Sequence, residues 1–265
     1  MNNQIVPQLP FRPDIFAGKV FFITGAGRGM ARSLALKVSS LGARVALCDL
    51  VAERAQATAK AISAQGGNAL AFVADVGNET ETARAISETL SQWQKIDVLM
   101  NVAGSYGKAL RKTHETPVEE WDHVFSSNVK GTFLTAKHII PHMAAAGGGC
   151  IVNFASNAGR TVSPLLGCSY TAAKTAVIGI TRHLSREYAA SGIRVNTIAP
   201  GPVDGERVNE LLSPNATIGD LEAAIPLGRL ANNDEIIDVA IFLASDAARY
   251  MTGAILDVSG GLVLA

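Results

Sequence analysis

The sequence has few cysteines, no excess charge of either sign and no long apolar run, and each shortage excludes a class of protein. Its three cysteines, Cys48, Cys150 and Cys168, form no C-x-x-C pair, which argues against a disulfide framework or a zinc site. No stretch reaches the roughly 18 apolar residues of a membrane span. Lysine plus arginine equals aspartate plus glutamate at 23 each, and only 6% of residues are aromatic. Binding to nucleic acid or to an anionic membrane is therefore not expected.

What is present favours one folded domain behind a short arm. Hydrophobic residues make up 48% of the 265 residues, enough for a buried core, and α/β folds of this length are often single domains. Residues 1–16 contain three prolines and lack the basic start and apolar stretch of a secretory signal. We therefore predict a surface arm over 1–16, a single domain over 17–265, and a cytoplasmic location.

Short apolar or β-branched runs alternate with longer segments of helical period, as in βαβ units. Most of these runs are continuously apolar, which is typical of parallel strands covered by helices on both faces. The sequence therefore predicts an α/β fold with one doubly wound, seven-stranded parallel sheet. The predicted strands are Val20–Thr24, Arg44–Cys48, Ala69–Ala74, Val98–Asn101, Ile151–Phe154, Ile193–Ile198 and Ile255–Val258.

Capping patterns predict where several helices begin. A Thr-Pro-Val-Glu run starting at Thr116 predicts a helix there, with Gly131 and Pro141 bending or ending it before Gly147. Two more helices are predicted, one from about Tyr170 to Ala190 and one over Ile236–Ala244 that is capped by Asn232 and Glu235. Only Asp204–Ile225 lacks a clear period.

A glycine-rich turn follows the first predicted strand and precedes a helix. Gly25, Gly27 and Gly29 lie there, where a pyrophosphate would meet the backbone N–H groups of a helix N-terminus. Tight turns also need glycine for conformational reasons alone. Asp49 follows Gly29 by 20 residues at the end of the second strand, where a carboxylate can bind the adenosine ribose. Its alternative role is to cap the helix that begins near Ala52.

Tyr170 and Lys174 are four residues apart on a predicted helix and therefore share one face. Alone, such a pair usually marks a solvated face. Here the pair follows Ser156, at a strand end, and, earlier in the chain, Asn128. His138 and His142 are also four apart, but Pro141 intervenes and no H-E-x-x-H glutamate is present. No metal is predicted.

These motifs, in this order, resemble those of the short-chain dehydrogenase/reductase family from about Gly18 to Gly261. The resemblance implies an NAD(P)-binding Rossmann fold. It implies catalytic roles for Asn128, Ser156, Tyr170 and Lys174. The cofactor residues implied are Gly25, Gly27, Arg28, Gly29, Met30, Asp49, Asp75, Val76, Asn101, Ala103, Gly104, Tyr170, Lys174, Pro200, Gly201 and Val203. The family also implies a homo-oligomer, a dimer or a homotetramer.

The chemistry agrees with an NAD-dependent oxidoreductase that acts on a secondary alcohol or ketone. A tyrosine with the ordinary pKa of about 10 is ionised only about one part in 10³ at pH 7, so a base at Tyr170 needs the Lys174 cation nearby. Ser156 would fix the substrate oxygen, and by resemblance Asn128 serves a proton relay through Lys174. Asp49 favours NAD because it would repel the 2′-phosphate of NADP, although Arg28 opposes that effect. The alternative is a catalytically silent NAD(P)-binding regulator.

The sequence departs from the family pattern at Ala31, in the glycine turn, and at Gly205, after the Pro-Gly turn. Ala31 replaces the third glycine of the turn, which adds a methyl group between helix and strand. Gly205 replaces a common threonine, so one side-chain contact to the nicotinamide carboxamide is expected to be missing. Residues of about 204–225 are predicted to form a lid over the substrate.

Overall fold

The computed structural model describes residues 11–163, 165–211 and 217–264, without the side chains of 206 and 207. Its seven parallel strands form one sheet in the order β3-β2-β1-β4-β5-β6-β7, so the predicted fold class is confirmed. The chain order reverses between β1 and β4, and ligands of such sheets bind at the carboxyl ends of the strands there. The strands are β1 (Val20–Thr24), β2 (Arg44–Asp49), β3 (Asn68–Val73), β4 (Val98–Asn101), β5 (Gly149–Phe154), β6 (Ile193–Pro200) and β7 (Ile255–Val258).

Helices cover both faces of the sheet because successive strand residues point to opposite sides. Phe21 and Leu47 belong to one buried cluster, whereas their neighbours Phe22 and Cys48 belong to another. The first cluster includes α1 and α9, and the second includes α3 and α5. The helices are α1 (Gly29–Ser40), α2 (Ala52–Ala64), α3 (Glu79–Trp93), α4 (Val118–Phe125), α5 (Gly131–Ala145), α6 (Cys168–Glu187), α7 (Glu206–Leu211), α8 (Ile218–Ala224) and α9 (Asn233–Ala244).

The prediction for the helix near Thr116 was wrong about its cap, whereas the helical segment does end before Gly147, at Ala145. Pro117 is the cap residue of α4, and no side-chain bond caps this helix. One π-helical turn, Ser126–Lys130, then joins α4 to α5, which runs through Pro141 to Ala145. Gly131 does not break the helix: a Cβ there would lie 2.6 Å from a methyl carbon of Val76, so close packing requires glycine.

The segment 204–225 carries more secondary structure than its sequence predicts. It contains the short helices α7 and α8, and residues 212–216 lie outside the described part of the chain. The α8 start is fixed by a capping box between Thr217 and Asp220. Val208, Leu221 and Ile225 form a small buried apolar cluster with neighbouring residues. This segment is thus folded over an apolar layer of its own.

The predicted surface arm is only partly described, and its described end is not at the surface. Phe16 is 2% exposed and makes an edge-to-face contact with Phe21, with ring centroids 4.7 Å apart. Buried aromatic pairs of this kind stabilise a core, so the prediction of a surface arm was wrong for Phe16. Within the described residues, no helix is long and apolar enough to cross a membrane.

Candidate active site

The glycine turn joins β1 to α1, and its backbone is closely approached at Gly25 and Gly27. Gly25 and Gly29 have φ angles of 68° and 53°, which favour glycine. A Cβ on Gly27 would lie 2.7 Å from Asp49 Oδ2 and 2.5 Å from Arg54 Cβ. Arg28, the cap residue of α1, makes no side-chain cap to its first amides. The turn therefore presents backbone N–H groups at a helix N-terminus, an arrangement that suits a phosphate group.

Asp49 ends β2, and hydrogen bonds to the backbone fix its carboxylate. Oδ2 accepts a hydrogen bond from the Gly27 amide at 2.8 Å, and Oδ1 accepts one from the Val51 amide at 3.0 Å. The residue is 8% exposed. Each oxygen keeps a lone pair for a further donor. Asp49 thus ties the glycine turn to the turn before α2, a structural role that is compatible with binding a ribose.

The end of β4 meets the glycine turn through a residue that the motif analysis did not single out. Thr24 Oγ1 accepts hydrogen bonds from the Val102 and Ala103 amides, both at 3.0 Å. A Cβ on Gly25 would lie 3.0 Å from Ala103 Cα. The predicted cofactor residues Ala103 and Gly104 are therefore held against the glycine turn. A threonine at a strand end carries no sequence signal for this contact.

Asn101 lies differently from the other predicted cofactor residues, because its side chain belongs to the core. Nδ2 donates to Asn153 Oδ1 at 2.9 Å, and Oδ1 accepts from Thr135 Oγ1 at 2.7 Å. Asn153 Nδ2 in turn donates to Thr181 Oγ1 at 2.9 Å. This buried polar chain, Thr135-Asn101-Asn153-Thr181, connects α5, β4, β5 and α6.

On the adenosine side, Asp75 and Val76 follow β3, next to β2. Asp75 is exposed, and its Oδ1 accepts a hydrogen bond from the Gly77 amide at 2.8 Å. Burial, with Asp49 and Asp75 nearby, raises the pKa of the Cys48 thiol to about 12. That cysteine therefore stays protonated and is no nucleophile at neutral pH.

Tyr170 and Lys174 lie on the first turns of α6 and are both buried, at 8% and 5% exposure, which excludes a solvated helix face. Lys174 Nζ lies 5.6 Å from the centre of the Tyr170 ring. It donates a hydrogen bond to the Phe154 carbonyl at 2.8 Å, two residues before Ser156. The cation is therefore fixed between the tyrosine ring and the end of β5.

Ser156 begins a short turn that packs directly on α6. Its hydroxyl donates to Asn157 Oδ1 at 3.0 Å and accepts from the Ala158 amide at 3.2 Å. A Cβ on Gly159 would lie 2.7 Å from the Lys174 carbonyl, so only glycine permits this approach. The glycine brings the Ser156 turn against the helix that carries Tyr170 and Lys174.

Asn128 lies in the π-helical turn, is 1% exposed, and keeps one acceptor without a partner. Its Nδ2 donates to the carbonyls of Ser105 and Val124, both at 2.8 Å. Its buried Oδ1 has no hydrogen-bond partner among the described residues. A Cβ on Gly104 would lie 2.3 Å from this oxygen and 3.4 Å from Lys174 Nζ. Asn128 and Lys174 therefore approach the same glycine.

At the end of β6, the Pro-Gly turn also needs glycine. Gly201 donates its amide to the Val258 carbonyl at 3.0 Å, and a Cβ there would lie 2.9 Å from Ser259 Cα. Val203 forms a bridge with Ala231. Gly205 has a φ of 146° with open space around it. The backbone conformation therefore explains why glycine occupies position 205. Sequence analysis considered only the side-chain contact that is lost with the threonine.

Two further ion contacts near the cleft have no signal in the sequence. Glu210 on α7 accepts a hydrogen bond from the Tyr106 hydroxyl at 2.5 Å and lies 4.0 Å from the Arg28 guanidinium. Arg111 lies 2.6 Å from Glu120, and both side chains are mostly buried. Among the described residues, no cluster of three His, Cys, Asp or Glu could hold a metal.

Comparison with known proteins gives consistent matches over nearly the whole chain. A family model described as enoyl-(acyl carrier protein) reductase matches residues 25–263. The cis-4-hydroxycyclohexanecarboxylate dehydrogenase of Sinomonas cyclohexanicum is 39% identical over 248 residues, covering 94% of this chain and 98% of the relative.

Solved structures agree with this match. A short-chain type dehydrogenase/reductase from Mycobacterium marinum is 31% identical with a TM-score of 0.87, covering 94% of this chain and 97% of its own. A 3-oxoacyl-[acyl-carrier protein] reductase from Brucella melitensis with bound NAD has 34% identity, a TM-score of 0.87 and coverage of 96% and 94%. A structure from Beutenbergia cavernae described as a putative NAD(P)-dependent gluconate 5-dehydrogenase holds NADP at low occupancy, with 33% identity, a TM-score of 0.88 and coverage of 95% and 99%.

Proposed function

This chain belongs to the short-chain dehydrogenase/reductase family, and we propose that it is an NAD-dependent enzyme that interconverts a secondary alcohol and a ketone. The observation that carries the proposal is the buried pair of Tyr170 and Lys174, which packs against the turn that begins at Ser156. A nicotinamide dinucleotide bound in this cleft would accept or supply the hydride.

The glycine turn fits such a dinucleotide. Its backbone N–H groups at the start of α1 suit the pyrophosphate. The missing Cβ of Gly27 lets Asp49 lie against this turn. Asp49, with a free lone pair on each oxygen, would accept hydrogen bonds from the adenosine ribose. Pro200, Gly201 and Val203 would border the nicotinamide at the end of β6.

Tyr170 serves as the general base for alcohol oxidation and as the acid for ketone reduction. The Lys174 ammonium, 5.6 Å from the ring centre, stabilises negative charge on the phenol oxygen by Coulomb attraction in a partly dry site. The Ser156 hydroxyl holds the substrate oxygen close to Tyr170. The unpaired Asn128 Oδ1 supports a water-linked proton relay toward Lys174.

Preference for NAD over NADP rests on the fixed carboxylate of Asp49. Like charges about 4 Å apart repel by roughly 4 kcal/mol at an effective dielectric near 20, before screening and movement reduce the repulsion. Asp49 is held by two backbone amides, so it cannot rotate away from a 2′-phosphate without losing them. We expect a preference for NAD of at least about tenfold.

The segment 204–225 serves as the substrate lid. Its helices α7 and α8 follow the carboxyl end of β6, where substrates of this fold bind. Their buried Val208 and Leu221 supply an apolar layer that excludes water from the reaction.

The active form is a homotetramer or a dimer in the cytoplasm. Exposed apolar side chains lie on α4 and α5, among them Val118, Trp121 and Phe133 at 68%, 37% and 51% exposure. An isologous contact would cover them. Cys48, Cys150 and Cys168 are free thiols, which suits a reducing compartment.

The proposed function is tested by incubating the purified chain with NAD or NADP and a panel of secondary alcohols while reduced nicotinamide is followed by absorbance. Turnover with NAD on at least one alcohol supports it. Binding of NAD without turnover on any alcohol or ketone would instead support the catalytically silent regulator.

A further inference from the structure

Glu210 makes contacts that connect three parts of the cleft. It lies on α7, accepts a hydrogen bond from the Tyr106 hydroxyl and lies 4.0 Å from the Arg28 guanidinium. Tyr106 follows β4, and Arg28 is the cap residue of α1 in the glycine turn. One carboxylate on the lid thus reaches the turn that is proposed to bind the dinucleotide.

The Arg28 guanidinium can pair either with a 2′-phosphate beside Asp49 or with the Glu210 carboxylate. Arg28 follows Gly27, whose amide is bonded to Asp49, so its long side chain starts beside the place where a 2′-phosphate would lie. In this structure the guanidinium instead faces Glu210. A guanidinium paired with Glu210 is not available to a phosphate on the Asp49 side.

We propose that Glu210 is a specificity-determining residue that favours NAD by holding Arg28 on the α7 side. The proposal rests on the proposed function, because it takes the glycine turn as the dinucleotide site. Glu210 also repels the pyrophosphate, but that group is common to both cofactors and its effect cancels in their ratio. Of the two effects of Glu210, only the competition for Arg28 distinguishes NAD from NADP.

Tyr106 positions Glu210 for its contact with Arg28. Its hydrogen bond fixes one oxygen of Glu210, which holds the carboxylate in reach of Arg28. Tyr106→Phe removes this restraint while leaving the charge of Glu210. It is therefore expected to produce part of the effect of Glu210→Gln.

Arg54 offers the matched control. Its Cβ lies beside Gly27, next to Asp49, and the one ion pair of Glu210 among the described residues is with Arg28. Arg54→Ala should weaken NADPH binding by the same factor with or without Glu210→Gln. Arg28→Ala should instead abolish the response to Glu210→Gln, because a shared partner makes two substitutions non-additive.

The experiment measures dissociation constants of NADH and NADPH by cofactor fluorescence at low ionic strength, on the full chain and without substrate. Glu210→Gln should tighten NADPH binding about two- to fivefold more than it tightens NADH binding, the range expected for an exposed ion pair. The selective gain should shrink in high salt and vanish in Arg28→Ala.

Equal changes for both cofactors would overturn the proposal, since Glu210 would then act on the pyrophosphate or on the lid alone. A selective gain that persists in Arg28→Ala would also overturn it, because Arg28 would not carry the effect. If the unsubstituted chain bound neither cofactor, the proposed function itself would fail, a result distinct from a loss of selectivity.

Discussion

At the β1–β2 end of the cleft, buried hydrogen bonds hold the glycine turn, whereas the contact from α7, at the β6 end, to that turn is an exposed ion pair. At the β1–β2 end, the Asp49 carboxylate accepts hydrogen bonds from two backbone amides, and the residue is 8% exposed. Glu210 contacts Arg28 with both side chains more than half exposed. Exposed pairs contribute little and are screened by salt, while buried bonds to a carboxylate are costly to break. The dinucleotide end is therefore the rigid end, and the substrate end is the adjustable one.

The largest effect is expected from replacing the proposed catalytic base, Tyr170, which lies between the two ends of the cleft. Tyr170→Phe should lower kcat by at least about 10²-fold while NAD binding is retained, because the phenol oxygen moves the proton. Steady-state kinetics and NADH titration measure the two quantities. Tyr188→Phe, at the other end of α6, is the control and should leave kcat unchanged. Near-normal turnover of Tyr170→Phe would refute the assigned base.

Gly27→Ala tests the rigidity of the dinucleotide end. The new methyl group would meet Asp49 and Arg54 well inside van der Waals distance, so the turn must open and NADH affinity should fall by at least about tenfold. Gly219→Ala, on α8, places a methyl group 3.7 Å from the Thr217 hydroxyl and should leave NADH affinity unchanged. Titration of both variants with NADH measures this difference. Equal NADH affinities of the two variants would contradict the greater rigidity of the dinucleotide end.

Asp49→Ala should change cofactor choice and cofactor affinity together. The loss of charge should narrow the NAD preference about tenfold in kcat/KM, because the repulsion of the 2′-phosphate disappears. NAD should also bind less tightly, because the Gly27 and Val51 amides lose their acceptor. Kinetics with both cofactors measure the ratio. If wild-type kcat/KM were the same for NAD and NADP, Asp49 would not select the cofactor.

Gly205→Thr tests the substrate end by restoring the residue common in the family. At a φ of 146° a threonine is strained by about 1–3 kcal/mol, so α7 should be destabilised. Hydrogen exchange should show faster exchange of the α7 amides in the variant and unchanged exchange in α1. Slower exchange of α7 would mean that the threonine contact outweighs the strain.

The smallest effect concerns the ion pair at the start of α9. The hydrogen bond to Arg229 and the bond from the Asn232 amide lower the pKa of Glu235 to about 2. A lowered folded-state pKa stabilises the protein above the ordinary value of 4.5, and the contribution is lost as pH falls toward 2. Because Glu235 is 38% exposed, Glu235→Gln should cost only about 0.5–1 kcal/mol at pH 7. Urea unfolding at pH 7 and pH 3.5 should show the difference shrinking in acid.

Sequence analysis predicted the strands within two residues and named the residues that the glycine turn and α6 bring together. It succeeded because strand hydrophobicity and motif spacing are local properties. It did not predict why position 131 is a glycine, because the close contact of Gly131 with Val76 joins residues that are distant in the sequence. The Tyr106–Glu210 contact joins residues 104 positions apart, and no local sequence pattern predicts a contact over that separation.

The buried polar chain through Asn101 has a consequence for folding rather than for catalysis. Asn101 is paired with Asn153 in the register of β4 and β5, and the amides bond each other across the strands. A slip of one strand by one residue would put the two amides on opposite faces of the sheet and break the hydrogen bond between them. Hydrophobic strands of similar sequence tolerate such slips far better than buried amides do. The four side chains therefore favour one alignment of β4 with β5, because any other alignment leaves buried amide and hydroxyl groups without partners.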